Sequence, residues 1–226
     1  MGMTSKDVDK LIRAEVWPFV REQGFVVSGR TARRWWTDAI DVINFQSYND
    51  HDAGVHGMTT FSFQVNLSVQ PVFLPPEGEV SYDKQGRPLV KEWQCFFRHH
   101  VEPTVPKPPR RRSLNPFGHR PLPAPTATFE IAKDALNARE CVIDARAGIE
   151  QQALAWFEAR RTTSQMLALL EAENDWPMRD YLHGMAAAHA GDKRTARELL
   201  QRVLDTVDFG GYGGDEPIRA TLDALG

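Results

Sequence analysis

From Thr4 to Gln23 the apolar positions Val8, Leu11, Ile12, Val16, Phe19 and Val20 recur three and four apart. That spacing predicts a helix with one buried stripe. Thr4 or Ser5 can cap its start, and Gly24 stands where a helix commonly stops. Pro18 predicts a kink, because it removes a backbone donor and crowds the preceding turn. The period then changes to two. Phe25–Ser28, Thr31–Thr37 and Ile40–Ser47 read as strands, with Gly29-Arg30 as a turn and Asp41, Ile43, Phe45 and Ser47 on one face of the third. The strongest alternation runs through Met58–Gln70, where Phe61, Phe63, Val65, Leu67 and Val69 interleave with Ser62, Gln64, Asn66 and Ser68. It predicts one buried and one polar face, and the short connections predict antiparallel pairing. A further strand pair is expected near Glu79–Tyr82 and Glu92–Val101.

Residues 102–126 break both periods. They hold many of the prolines and the run Pro108-Pro109-Arg110-Arg111-Arg112. Proline at this density supports neither a ladder nor a helix, so the segment reads as an exposed loop, an insertion or a linker. Beyond it the pattern is helical: Phe129–Arg160, then Ser164–Glu173, then Pro177 to His189, then Asp192 to Asp205, and a last helix from Pro217. Gly184, Ala187 and Ala188 predict close approach to Ala196 and Leu200 in a helix hairpin. The single hairpin is too few for a helical solenoid. The expected fold class is α+β, a mostly antiparallel sheet of about five strands packed with an N-terminal helix and a C-terminal helical half. The divisions are residues 1–103, the Pro/Arg-rich 104–127, and 128–226 on the same core.

Composition narrows the function classes. The chain is 42% hydrophobic and 25% charged, which supplies a core and excludes global disorder. A formal net charge of -3 lacks the basic excess of a dedicated nucleic-acid or membrane-surface binder. Cys95 and Cys141 have apolar neighbours and no second ligand at metal spacing, so both read as buried, reduced thiols. There is no cationic start followed by an apolar run, and no apolar run near the ~20 residues that cross a bilayer. A cytoplasmic location is the expectation.

Several stretches together resemble a known family. They are Gly24-Phe25, Gly29-Arg30-Thr31, Arg34-Trp35-Trp36, Val42-Ile43-Asn44-Phe45-Gln46 and Phe61-Ser62-Phe63-Gln64-Val65-Asn66-Leu67, followed by Ala153-Leu154-Ala155-Trp156-Phe157-Glu158 and the helix pair at Gly191-Asp192. In this order they resemble the bacterial domain-of-unknown-function family 4304, with the proline-arginine segment as an insertion. The resemblance implies an α+β bacterial cytosolic protein and no particular reaction.

Candidate chemistry is sparse. Asn49-Asp50-His51-Asp52-Ala53-Gly54-Val55-His56 is the best metal candidate, yet its spacing matches no zinc or calcium loop and suits a solvated hairpin loop equally. His99 and His100 end a strand and point to opposite faces, and His183 and His189 lie on different sides of a helix. His51, His56 and His99 therefore stand as weak ligand candidates. Phe209–Gly214 is rich in glycine but lacks the Lys-Ser/Thr of a phosphate loop and reads as a hinge. Arg110, Arg111 and Arg112 could touch nucleic acid or an acidic protein face. Arg34, Trp35 and Trp36 carry the Trp/Arg composition of protein interfaces. Asn44, Gln46, Gln64, Asn66 and Ser68 can line a polar sheet face that binds a ligand if it is partly covered. No elbow, zincin, Cys-x-x-Cys or Walker motif occurs. The expectation is a protein without cofactor or metal, binding another protein in an accessory or immunity-type role. A small-ligand binder or enzyme on the polar face is the alternative, and weak nucleic-acid contact through the Arg-rich loop is a further one.

Overall fold

The computed structural model describes residues 4–105, 125–173, 178–207 and 214–226. The amphipathic start folds as two helices, α1 (Ser5–Glu15) and α2 (Trp17–Glu22), not as one kinked helix. Pro18 lies in the first turn of α2, where no intrahelical bond is lost, whereas in a continuous helix its ring would crowd the carbonyl of Ala14. Val16 is the joint: its N–H reaches Ile12 O at 3.0 Å and its C=O accepts from Val20 at 3.1 Å. Thr4 closes the front, with Asp7 Oδ2 accepting from its N–H at 3.1 Å and its Oγ1 at 2.7 Å.

A six-stranded antiparallel sheet follows. Its first strands are β1 (Val26–Ser28), β2 (Thr31–Trp35) and β3 (Ala39–Ser47). The expected hairpin loop after β3 is instead a helix, α3 (Asp50–His56). Asn49 caps it by accepting from Asp52 N–H at 2.8 Å, and Gly57 ends it in the left-handed region at φ 63°. Next come β4 (Phe63–Pro71), β5 (Phe97–His100) and β6 (Thr128–Phe129). Of the strand pair expected near Glu79–Tyr82 and Glu92–Val101, the first shrinks to a single Tyr82–Pro88 bridge, while the second opens with a 3-10 turn at Glu92–Gln94 and then forms β5. The order is β1-β2-β3-β4-β5, and β6 also pairs with β4. β3 occupies the whole of one edge of β4, so β5 and β6 share the other.

The remaining helices begin later than expected, because Phe129 is spent in β6. They are α4 (Ala138–Gly148), a π-helical stretch at Ile149–Ala153, α5 (Leu154–Glu158), α6 (Thr163–Glu173), α7 (Met178–His189), α8 (Lys193–Thr206) and α9 (Glu216–Ala224). Gly184 allows α7 to meet α8 closely: a Cβ there would lie 2.7 Å from Leu200 Cδ2. No helix among the described residues is long and apolar enough to cross a membrane.

One face of the sheet carries Ala32, Ile43, Phe45, Val65 and Leu67 and joins the main core with the helices from both ends of the chain. Trp17 meets Phe45 edge-on at 5.1 Å, and Phe45, Phe63 and Phe129 continue the aromatic line. The opposite face was expected to be polar, either open or partly covered, and most of β4 is buried on both sides. The excursion at 72–96 folds back over half of that face and forms a second core of Ile40, Val42, Val90 and Cys95. It is tied down through backbone carbonyls: Arg33 Nε donates to Val90 O at 2.7 Å, Trp35 Nε1 to Pro88 O at 3.0 Å, and Gln70 Nε2 to Leu74 O at 2.8 Å.

Candidate functional site

The other half of that second face is exposed at Gln46 and His100, half-buried at Thr31, Asn44 and Gln64, and buried at Asn66 and Thr128. Its centre is a row across four strands. Thr31 stands opposite Asn44, Asn44 opposite Asn66, and Asn66 opposite His100. Because side chains alternate along each strand, the shared register puts all four on one face. Asn44 Nδ2 donates to Thr31 Oγ1 at 3.0 Å. His100 Nδ1 lies 2.9 Å from Asn66 Oδ1, and Asn66 Nδ2 donates to Gln46 Oε1 at 2.8 Å. A second row runs Gln46, Gln64 and Thr128, with the Tyr48 hydroxyl 2.6 Å from Thr128 Oγ1. Burial pushes the Tyr48 phenol above its ordinary range, and the Thr128 hydrogen bond opposes this.

The two rows are built from amides, hydroxyls and one imidazole. Each amide carries both donors and an acceptor, so the face can bond a peptide unit or a hydroxyl in either direction. At the border with the covered half lies Ser68, which is 0% exposed and whose Oγ has no hydrogen-bond partner among the described residues. The arrangement suits recognition of an uncharged polar surface. It provides no nucleophile beside a base.

The candidates named from sequence take different places. Asn44, Gln46, Gln64 and Asn66 belong to the two rows, with Asn66 buried, and Ser68 lies under their border. His99 is on the helix face, its ring stacked 5.7 Å from Trp156, and its pKa is lowered by burial and then by the charges of His100 and Arg160. The imidazole that joins the polar row is His100. His51 and His56 ride on α3, His51 exposed. No group of His, Cys, Asp and Glu able to hold a metal occurs among the described residues. His183 lies 2.8 Å from Glu171 across α6 and α7. Arg110, Arg111 and Arg112, and most of the glycine-rich stretch, fall outside the described residues.

Arg34 turns inward. It is 8% exposed, and its Nε donates to Asp41 Oδ2 at 2.9 Å while Nη1 donates to Gln23 O at 3.0 Å. Its guanidinium lies over the rings of Phe25 and Trp36, at 4.5 and 4.8 Å. Trp36 Nε1 donates to the same Asp41 oxygen at 2.8 Å. Asp41 is 1% exposed; burial raises its pKa, and the Trp36 and Arg34 contacts pull against that shift. Trp35 and Trp36 keep partly open rings, covered by Arg87 at 4.1 Å and Arg161 at 4.1 Å respectively.

Residues 16–159 match the family described as Domain of unknown function (DUF4304). The chain belongs to DUF4304. The matched residues contain the whole sheet, both polar rows and the Arg34–Asp41 pair, while α6 to α9 lie beyond the DUF4304 match. Those helices are fastened to it where Asp38 Oδ2 accepts from Thr163 N–H at 2.9 Å and from Thr163 Oγ1 at 3.1 Å, at the start of α6. No curated protein and no solved structure matches the chain.

Proposed function

We propose that this DUF4304 chain is a non-enzymatic module that binds another protein in an accessory or immunity-type role, with the polar half of the sheet as its recognition face. The observation that carries the reading is the row Thr31, Asn44, Asn66 and His100, in register across four strands, exposed at His100 and half-buried at Thr31 and Asn44. Amide rows bond main-chain and side-chain amides of a partner without demanding charge. Partner capture from native extract at moderate salt tests it, comparing the wild type with an Asn44→Ala/Gln46→Ala variant of unchanged thermal stability. A stoichiometric protein retained by the wild type and lost by the variant supports the reading. A partner indifferent to the variant, or none that saturates, overturns it.

A small polar ligand is the second reading, favoured by the unpartnered Ser68 hydroxyl at the border of the face. A ligand seated there raises the melting temperature by mass action. A thermal-shift screen of polyols, amides and sugars that moves the wild type but not Ser68→Ala supports it; no shift refutes it.

A further inference from the structure

The outer edge of the sheet is one strand in two pieces. Val101 prolongs β5 by donating its N–H to Val65 O at 2.9 Å, and the ladder resumes with Thr128 opposite Gln64. The chain thus leaves this edge at Glu102 and rejoins it at the next ladder position. In an antiparallel ladder, residues bonded to the neighbour alternate with residues whose N–H and C=O point away. With Val101 bonded inward, His99 and Phe97 are bonded inward too, and Arg98, His100 and Glu102 turn their backbone groups outward. Glu102 shows what such groups accept. Its N–H donates to Gln152 Oε1 at 3.0 Å, and its C=O accepts from Gln152 Nε2 at 2.8 Å. One side-chain amide there does what a peptide unit of an added strand would do. The outward groups of Arg98 and His100 have no such partner among the described residues, and Arg98, His99 and His100 are exposed.

Charge sets what this edge admits. Arg98, His99 and His100 are all basic side chains, and Arg160 lies 4.2 Å over Trp156 beside them. Burial first, and then the charges of His100 and Arg160, disfavour the His99 cation, while Glu102 favours it, so the fixed positive charges of this edge are Arg98 and Arg160. A positive edge repels a second copy of itself and attracts a strand that bears carboxylates. Trp156, stacked on His99, adds an aromatic wall along the same edge.

We infer that the outer edge of β5 is the docking site for an extended acidic segment of a partner protein, which adds to the sheet by bonding the outward N–H and C=O of Arg98 and His100. The inference rests on the protein-partner reading above and names that partner's chemistry.

Selection of random linear peptides by display against the intact chain tests it. The expected result is enrichment of sequences with Asp or Glu at alternate positions. Arg98→Pro removes an N–H that the sheet does not use, a change edge strands tolerate. It should leave thermal unfolding unchanged and weaken the selected peptides about tenfold or more, with Arg98→Ala weakening them less. Should Arg98→Pro fail to fold, hydrogen exchange on the wild type decides: a selected peptide slows the amides of Arg98 and His100. Enrichment without acidic residues, equal affinity for Arg98→Pro, or unchanged exchange at Arg98 and His100 each overturns the inference. If a captured protein is lost on Asn44→Ala/Gln46→Ala yet retained by Arg98→Pro, the recognition face stands and the added strand falls.

Discussion

Replacing Arg34 by methionine isolates the energetics of the buried pair. The substitution keeps the length of the side chain and its apolar contact with Phe25 and Trp36, but strips Asp41 of its guanidinium. Asp41 is then a carboxylate at 1% exposure with Trp36 Nε1 as its remaining side-chain donor, and its Oδ1 already lacks a partner. Breaking a buried pair from one side costs about 3–5 kcal/mol, because the other charge is left uncompensated. For a chain of this size that lowers Tm by roughly 6–20 °C. The loss depends on pH in a defined direction. Burial raises the folded pKa of Asp41 above its ordinary value. The folded state therefore holds that proton to higher pH than the unfolded chain does, and stability falls as pH rises through the window between the two. Removing Arg34 widens the window upward, so Arg34→Met should be most destabilised near neutrality and recover as pH falls toward the ordinary carboxylate range. The double variant Arg34→Met/Asp41→Leu removes both charges and should regain most of the loss at neutral pH. Urea unfolding followed by tryptophan fluorescence at several pH values measures all three proteins. An Arg34→Met midpoint close to wild type, or a loss with no pH dependence, would refute the assignment of Asp41 as a charge held by Arg34.

Three further outcomes follow from local geometry. A Cβ on Gly148 would overlap Val101 Cγ1, so Gly148→Ala should destabilise by about 1–3 kcal/mol in urea unfolding, with faster hydrogen exchange at Glu102, whose N–H depends on Gln152. Asn49→Ala removes the cap of α3 and should cost about 1 kcal/mol, read as a lower urea midpoint. Burial pushes the Cys95 thiol up to about 12, so in the folded chain it should resist alkylation at pH 8 and react only after denaturation, as read by peptide mass spectrometry.

Much of the framework could be read before any coordinates. Alternation along β4 is steep enough to locate its buried side and to set Gln64 and Asn66 on the other, and the period of two along β3 sets Asn44 and Gln46 together in the same way. Thr31 and His100 escaped because their membership depends on register, and register is set by turn geometry and neighbours instead of by any one strand's pattern. Arg34 looked like an interface residue for the same reason: its partner, seven residues on, becomes adjacent only once β2 and β3 pair. The helix α3 was hidden by composition. Its Asn49 cap, Asp52 and Gly57 stop are also loop residues, and only seven helical positions lie between the ends. The cover over half of the second face had no signature, since Arg33, Trp35 and Gln70 bond backbone carbonyls, which every residue supplies alike.

The division of that second face is itself an argument about what the polar half is for. On the covered side, polar groups that point off the sheet are bonded by a separate segment of chain, and apolar residues such as Ile40 and Val42 fill the space between. On the other side Asn44 bonds the Thr31 hydroxyl, and Asn66 bonds the Gln46 amide and the His100 imidazole, so these amides find partners across strands within the sheet itself. These side-to-side bonds are easily traded, one for one, with the amides of an incoming surface, at a net cost near zero for each exchange. The outward groups of Arg98 and His100 stand at the end of the same row, since His100 belongs to both. A partner that adds a strand at that edge would set its own side chain beside His100, so that the row Thr31, Asn44, Asn66 and His100 would run on into the partner in continuous register.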